Sequence, residues 1–543
     1  MIMKQKILFS ILFLLPTLLC FGQVRYWVFV DEAHVPASFG AYTVGVPALS
    51  PEALERRMRQ DIPLCPTDYP VTMAARAAVA SSGARVYRTS RWLRAFSVEA
   101  DQGMLETLQK ASWVRGIQPV ATMHKTAMDV DEQHAVTGFE PAEEGITAYS
   151  YGQSLDQVTQ INLVPLHNAG YSGGGIKIAF MDGGFTGVDA HSAFTGAWGQ
   201  GRIVLTHDFV DNDTNVFQAG SHGMSVLSTV CADLDGTFVG TAPSADYYLF
   251  RTEDESSETL VEEDNWVVAS EWADSIGIDV INTSLGYTTF DNGLGDHSYA
   301  DLDGQTTVIS KAATAAARTG MIVVVAAGNE GSSSWKYISC PADADSILSI
   351  GAVDGAGIRA SFSGQGPTSD GRIKPDIAAR GSSATVMNWS GQVATSSGTS
   401  FASPITCGAM ACLLQAVKAT QSTYDIQDIL TVVRNNASQA SKPDTLLGWG
   451  IPNFGNAYLA MGLDVAEPLD VFGLQATEGG YVLIRYRPTQ ALEVLRYDIS
   501  GRLIDTYHLA AGAAPFVLAH NPGVTLLHIQ GDPSAVLKVP AGR

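Results

Sequence analysis

Between residues 155 and 460 the chain alternates short, wholly apolar runs with longer stretches of helical periodicity. The apolar runs fall at 176–181, 247–250, 280–281, 321–327 and 347–353, and the helical stretches at 224–232, 267–275, 308–319 and 401–416. A strand covered on both faces reads as an unbroken apolar run, and helices carry the chain back between parallel neighbours. The pattern predicts a three-layer α/β domain with a mostly parallel sheet over 155–462. Sites in such sheets form just beyond the C-terminal ends of the strands.

The flanks are patterned differently. Residues 23–127 mix strands at 26–30, 94–99 and 116–120 with helices at 52–59, 73–80 and 104–111, which predicts a small α+β module. Residues 466–543 switch to period-two strands at 481–486, 492–497 and 524–529, which predicts a small all-β sandwich. A polar, acidic stretch over 128–154 reads as a linker. At the start, Lys4 and Lys6 precede an apolar run over 7–21 broken by Pro16. That run is too short to span a membrane and fits a signal peptide over 1–22, with Cys20 and Gly22 as small residues before the cut. No later segment patterns as a transmembrane helix.

Charge separates the modules further. The 543 residues carry 33 basic and 55 acidic side chains, a net −22. Phosphate binding needs clustered Lys and Arg, so a nucleic-acid partner is excluded as a general reading. Residues 151–465 hold 13 basic and 33 acidic side chains, so −20 of the charge lies in the α/β block. Seven acids fall within 253–264 alone. After signal cleavage five cysteines remain, Cys65, Cys231, Cys340, Cys407 and Cys412, with no CxxC spacing. An odd, scattered set is neither a zinc site nor a dense disulfide framework, and Cys407 and Cys412 read as small core residues.

Three motifs lie where an α/β site would put them. The run 176–181 ends in Asp182 followed by two glycines; Ser221-His222-Gly223 opens a helical stretch; Ser397-Gly398-Thr399-Ser400-Phe401-Ala402-Ser403-Pro404 opens another. A serine nucleophile needs a neighbouring base, and the base needs an orienting carboxylate. The order acid, His, Ser is the one known for subtilisin.

On these residues the chain resembles the subtilisin-like serine protease (subtilase, peptidase S8) family over about 155–460. The resemblance implies a secreted serine endopeptidase acting through an acyl-enzyme. Asp182 would orient His222, His222 would serve as base and then acid, and Ser400 would be the nucleophile. Ala326-Ala327-Gly328-Asn329 resembles the oxyanion segment, with Asn329 donating beside the Ser400 N–H. Ser284-Leu285-Gly286 resembles the backbone that pairs with an extended peptide, while Ala326, Ala327 and Gly328 would wall the primary specificity pocket. Met224 stands where the family usually has Thr. No cofactor is required for the chemistry, and structural calcium is allowed for at the Asp-rich loops 208–213 and 291–303, whose spacing is not that of an EF-hand.

The N-terminal module resembles the inhibitory propeptide of these proteases, through 91–98 and 114–119, with the activation cut expected in the linker. The tail, through 494–504, resembles a type IX secretion sorting domain, implying that machinery as a partner. Together these imply a secreted or cell-surface protein of a Gram-negative, Bacteroidota-type bacterium. The acids of 253–264 would border the unprimed groove and favour basic residues at P2 or P4. The competing reading is a catalytically silent subtilase-fold surface or adhesion protein. An α/β-hydrolase esterase would need a G-x-S-x-G elbow with Ser first, and here Ser400 comes last.

Overall fold

The computed structural model describes residues 25–120 and 148–463, apart from 41, 43–44, 256–258 and 291–295. It also describes a short strand at His134–Ala135 and the tail segments 473–476, 482–485, 492–509, 516–518, 524–530 and 535–539. The expected signal peptide and nearly all of the linker lie outside the described residues.

Seven strands form one sheet in which every neighbouring pair is parallel. From one edge to the other they run Ile377–Arg380, Leu348–Val353, Ile322–Ala326, Val280–Thr283, Lys177–Asp182, Asp246–Arg251 and Ile203–Asp208. Chain order reverses around Lys177–Asp182 and Val280–Thr283, so a crevice opens beyond their C-terminal ends. The core is double. Ile178 and Phe180 face helices His222–Cys231 and Thr399–Thr420, while Ala179 and Met181 face Leu260–Ser275 and Val308–Arg318. Helix Thr399–Thr420 is long and apolar enough to cross a membrane, but it is almost wholly buried at the centre of the domain.

The α+β module has a four-stranded antiparallel sheet in the order Arg85–Ser90, Ala95–Glu99, Arg25–Val30, Val114–Val120. Its helices Pro51–Arg59, Met73–Ala80 and Gln102–Gln109 close a separate small core of Val28, Phe96, Val98 and Trp113. Helix ends leave carbonyls without intrahelical partners, and cations suit those ends. Helix Pro51–Arg59 meets three such ends of the large domain. Arg56 donates to Asp274, Ile278 and Thr319 carbonyls, Gln60 to that of Gly320, and Arg59 to those of Lys418 and Gln421. The strand Arg85–Ser90, the edge strand Ile203–Asp208 and helix Ile426–Asn435 were not evident as apolar runs, because each leaves one side partly exposed.

In the tail, Leu492–Asp498 and Leu503–Leu509 form a hairpin within a four-stranded antiparallel sheet, and three further strands form a second sheet. The turn explains its own sequence: Asp498 accepts from the N–H groups of Ser500 and Arg502, and Gly501 has φ +84°. All five described cysteines are free, and four of them, including Cys407 and Cys412, are buried.

Candidate active site

Asp182 ends its strand and is sealed from water at 1% exposure. Its Oδ1 accepts from the N–H of Gly183 at 2.8 Å and from His222 Nδ1 at 2.7 Å. The glycines around it are steric requirements. A methyl group on Gly184 (φ +155°) would meet Gly220 N at 2.5 Å, and one on Gly223 would meet Gly184 O at 2.6 Å. His222 is the first residue of its helix and keeps a third of its side chain open to solvent. Met224 turns away into the core, fully buried, beneath that helix.

Ser400 is the second residue of helix Thr399–Thr420, whose first turn also contains the ring of Phe401, 6.1 Å from the His222 ring. Pro404 lies inside this helix and has no N–H for the Ser400 carbonyl. Ser284 takes over. Its Oγ donates to the Ser400 carbonyl at 2.8 Å, and Ser400 Oγ donates to the Ser284 carbonyl at 3.1 Å. Asn282, buried in the neighbouring strand, holds both sides: its Nδ2 donates to Ser284 Oγ and its Oδ1 accepts from Ser403 Oγ. Sequence reasoning passed over Asn282 and Ser403. The signal was a polar residue inside the otherwise apolar strand Val280-Ile281-Asn282.

Asn329 lies on the loop after strand Ile322–Ala326. Its Oδ1 accepts from the Thr399 N–H at 2.9 Å and the Thr399 hydroxyl at 3.0 Å. With the oxygen committed there, Nδ2 is the donor end of the amide. Leu285 and Gly286 continue beyond the strand with partial to full exposure, while Ala326 and Ala327 are buried and Gly328 is half-buried at φ +98°. The two segments lie on either side of Ser339, whose N–H donates to Ala327 O.

The acidic stretch divides. Glu262 caps the Thr259 N–H, Glu263 binds His297 at 2.6 Å, and Asp264 accepts from Trp27 and Ser97 of the N-terminal module. These three are buried, so the part of the stretch expected to edge the groove is much smaller. Glu255 remains beside the site. A methyl group on Gly220 would sit 1.7 Å from its Oε1, and one on Gly183 at 2.7 Å, so these glycines admit the carboxylate next to Asp182 and His222.

The loop at 208–213 does not suit calcium. Asp208 accepts from the N–H groups of Val210 and Asp211 and, with Asp211, binds Arg251, so a guanidinium already fills the cation's place. Asp301 and Asp303 cap their own loop, and 291–295 lie outside the described residues. Among the described residues no group of three or more His, Cys, Asp or Glu side chains is arranged to hold a metal.

Comparison with known proteins agrees with this architecture. Residues 173–450 match the subtilase family, and residues 25–134 match the peptidase S8 propeptide domain of Bacteroidota. The chain is 34% identical to subtilisin E of Bacillus subtilis over 277 residues, which are 50% of this chain and 64% of that protein. It is 34% identical to a subtilisin of Bacillus pumilus over 261 residues, 47% of this chain and 83% of the relative. It is 29% identical to a thermostable alkaline protease of Halalkalibacterium halodurans over 301 residues, 55% of this chain and 72% of that protein. The N-terminal module is thus a propeptide domain of that type, and the chain belongs to the subtilase family.

Proposed function

We propose that the protein is a secreted serine endopeptidase made as a zymogen. The observation that carries this reading is the Asp182–His222 hydrogen bond of 2.7 Å at the sheet crevice, with Ser400 in the adjoining helix turn. Ser400 Oγ attacks the peptide carbonyl carbon as His222 Nε2 takes its proton. Asp182 holds the Nδ1–H, fixing the tautomer and stabilising the imidazolium. The oxyanion is met by the Ser400 N–H and Asn329 Nδ2; in subtilisin, losing that Asn donor costs about 10²–10³ in kcat. The amine leaves with the proton from His222, and water, activated by the same imidazole, hydrolyses the acyl-enzyme.

Substrate would lie extended between Ser284-Leu285-Gly286 and Ala326-Ala327-Gly328. Glu255, beside Gly183 and Gly220, narrows the expected basic preference to P2. The propeptide acts as inhibitor until removed, and the 492–509 hairpin is read as part of a type IX sorting domain of a Bacteroidota-type bacterium. Reaction with a fluorophosphonate probe tests the chemistry: the wild-type chain labels at Ser400, and Ser400→Ala does not. Absence of wild-type labelling after propeptide removal would favour a silent binding protein. The same preparation, offered a P2 library, should favour Lys and Arg; no gain there sinks the role given to Glu255.

A further inference from the structure

A cleft of about 370 Å³ lies where the propeptide meets the large domain, and no residue of the candidate triad lines it. That volume is at the lower end of the range for small-molecule sites. Its walls come from both modules: Arg88 and Arg91 from the propeptide, and His207, Phe209, Asn212 and Trp272 from the catalytic domain. The apolar wall is made of rings. Trp272 stacks on Phe250 at 5.4 Å and meets Phe209 and His207 edge to face at 5.8 and 4.8 Å. Burial lowers the His207 pKa against Asp208 and Asp213, and Arg88 adds to the fall, so at neutral pH this ring is an uncharged wall.

The polar wall is a cation without a bonded counter-ion. The pairing of Arg85–Ser90 with Ala95–Glu99 shifts register between Val86 and Arg88, and such bulges re-aim side chains. Arg88 Nη2 donates to the Phe209 carbonyl and to Asn265 Oδ1 at 3.2 Å, while Nη1 reaches Asn212 Oδ1 only at 3.5 Å. Among the described residues no carboxylate lies within ion-pair distance of Arg88, whereas Arg91 is bonded to Asp274. Burial lowers the Arg88 pKa; the Tyr87 ring, 5.0 Å from the guanidinium carbon, and Asp264 offset this only through space. Glu271 does not supply the missing charge, because its oxygens accept from Ser90 Oγ and from the N–H groups of Arg91 and Trp92.

We propose that this cleft binds a small aromatic carboxylate, which bridges propeptide and catalytic domain and delays their separation. The acid lies across Arg88, whose planar fork suits a carboxylate, and its flat body packs on Trp272, Phe209 and His207. A single uncompensated guanidinium suits a monoanion better than a phosphate. The two modules supply opposite walls, so the site exists only while they are docked. A ligand that binds the docked state alone stabilises it by mass action. The proposal does not depend on Ser400 being a nucleophile.

The test is native-state proteolysis of the N-terminal module in the full chain carrying Ser400→Ala, with indole-3-acetate, its uncharged analogue indole-3-ethanol, or acetate. Ligands this small bind in the millimolar range, so each is titrated to about 10 mM and checked for inhibition of the added protease on casein. Indole-3-acetate should slow proteolysis saturably, by about tenfold at ten times its half-saturating concentration. The alcohol and acetate should each stay within about twofold of no ligand. Arg88→Gln can loosen docking by itself, so the rate with acid is compared with the rate without it in each variant. That ratio should fall to the alcohol's level in Arg88→Gln and to one in Trp272→Leu, which keeps Arg88. No protection by indole-3-acetate, equal protection by acetate, or a ratio unmoved by both variants overturns the inference.

Discussion

Asp182 and Asp274 are both closed off from water, yet the protein surrounds them in opposite ways. Asp182 accepts from the ionisable side chain of His222, and its Oδ2 is buried without a hydrogen-bond partner among the described residues. Asp274 is gripped by Arg56, Arg57 and Arg91 of the propeptide. Burial alone would raise the Asp274 pKa, but these guanidiniums hold it below the usual carboxylate range. The first arrangement lets charge appear and vanish on the imidazole; the second fixes charge permanently. The candidate cleft pairs its carboxylate with a group that can gain and lose a proton, whereas Asp274 is paired with groups that stay charged.

Breaking the first arrangement should have the largest effect. Asp182→Asn presents an amide where His222 Nδ1–H needs an acceptor, favouring the wrong tautomer. We expect kcat to fall by about 10⁴, as when the orienting Asp of a Ser-His-Asp triad is changed to Asn, with the fold retained. Activity within tenfold of wild type on the same peptides would show that Asp182 does not orient the base.

Asp274→Ala breaks the second. It removes the carboxylate that three guanidiniums share: Arg57 keeps Asp68 and Arg91 keeps Asp68 and Glu271, but Arg56 is left with carbonyls alone, and removing one member of a buried pair costs about 3–5 kcal/mol. In the full chain carrying Ser400→Ala, native-state proteolysis of the N-terminal module should quicken by about 10²–10³-fold. Unchanged proteolysis would mean that the helix-end contacts of Arg56, Arg59 and Gln60 suffice.

The two regions also differ in how far the sequence disclosed them. The parallel sheet was readable because strands such as Ile322–Ala326 are apolar on both faces, and the candidate triad drew attention because Asp182, His222 and Ser400 each sit at a strand end or helix start. The Ser284–Ser400 exchange was not readable, since it depends on which carbonyl Pro404 leaves free across a gap of 116 residues. The place of Ser339 was equally hidden, because only the fold brings it between Gly286 and Gly328. The acids of 253–264 misled in part. Their charge is visible along the chain, but helix Leu260–Ser275 turns Glu262, Glu263 and Asp264 inward, toward the capping box, His297 and the propeptide.

Asp264 gives the smallest effect and sharpens the contrast, because it stands at the same interface as Asp274 without a bonded cation. Burial pushes its pKa up to about 7, against the hydrogen bonds of Ser97 and Trp27; Glu263 adds to the rise, and Arg25 opposes it. Arg88 also faces it, and Glu271 nearby is raised by burial too. Once the propeptide leaves, water restores the carboxylate toward its ordinary value of about 4. Docking then takes up a proton between those two values, so the contribution is full below about pH 4 and is lost as pH rises through about 7. Asp274 has the opposite sign and loses its contribution only as pH falls below the usual carboxylate range, so it adds no slope between pH 5 and 8. Native-state proteolysis of the Ser400→Ala chain should therefore speed up toward neutral pH, by at most about tenfold per unit. Asp264→Asn keeps a hydrogen-bonding amide but cannot titrate, and should flatten the profile down to whatever slope Glu271 leaves. A profile that stays equally steep in that variant would assign the pH dependence to Glu271 instead.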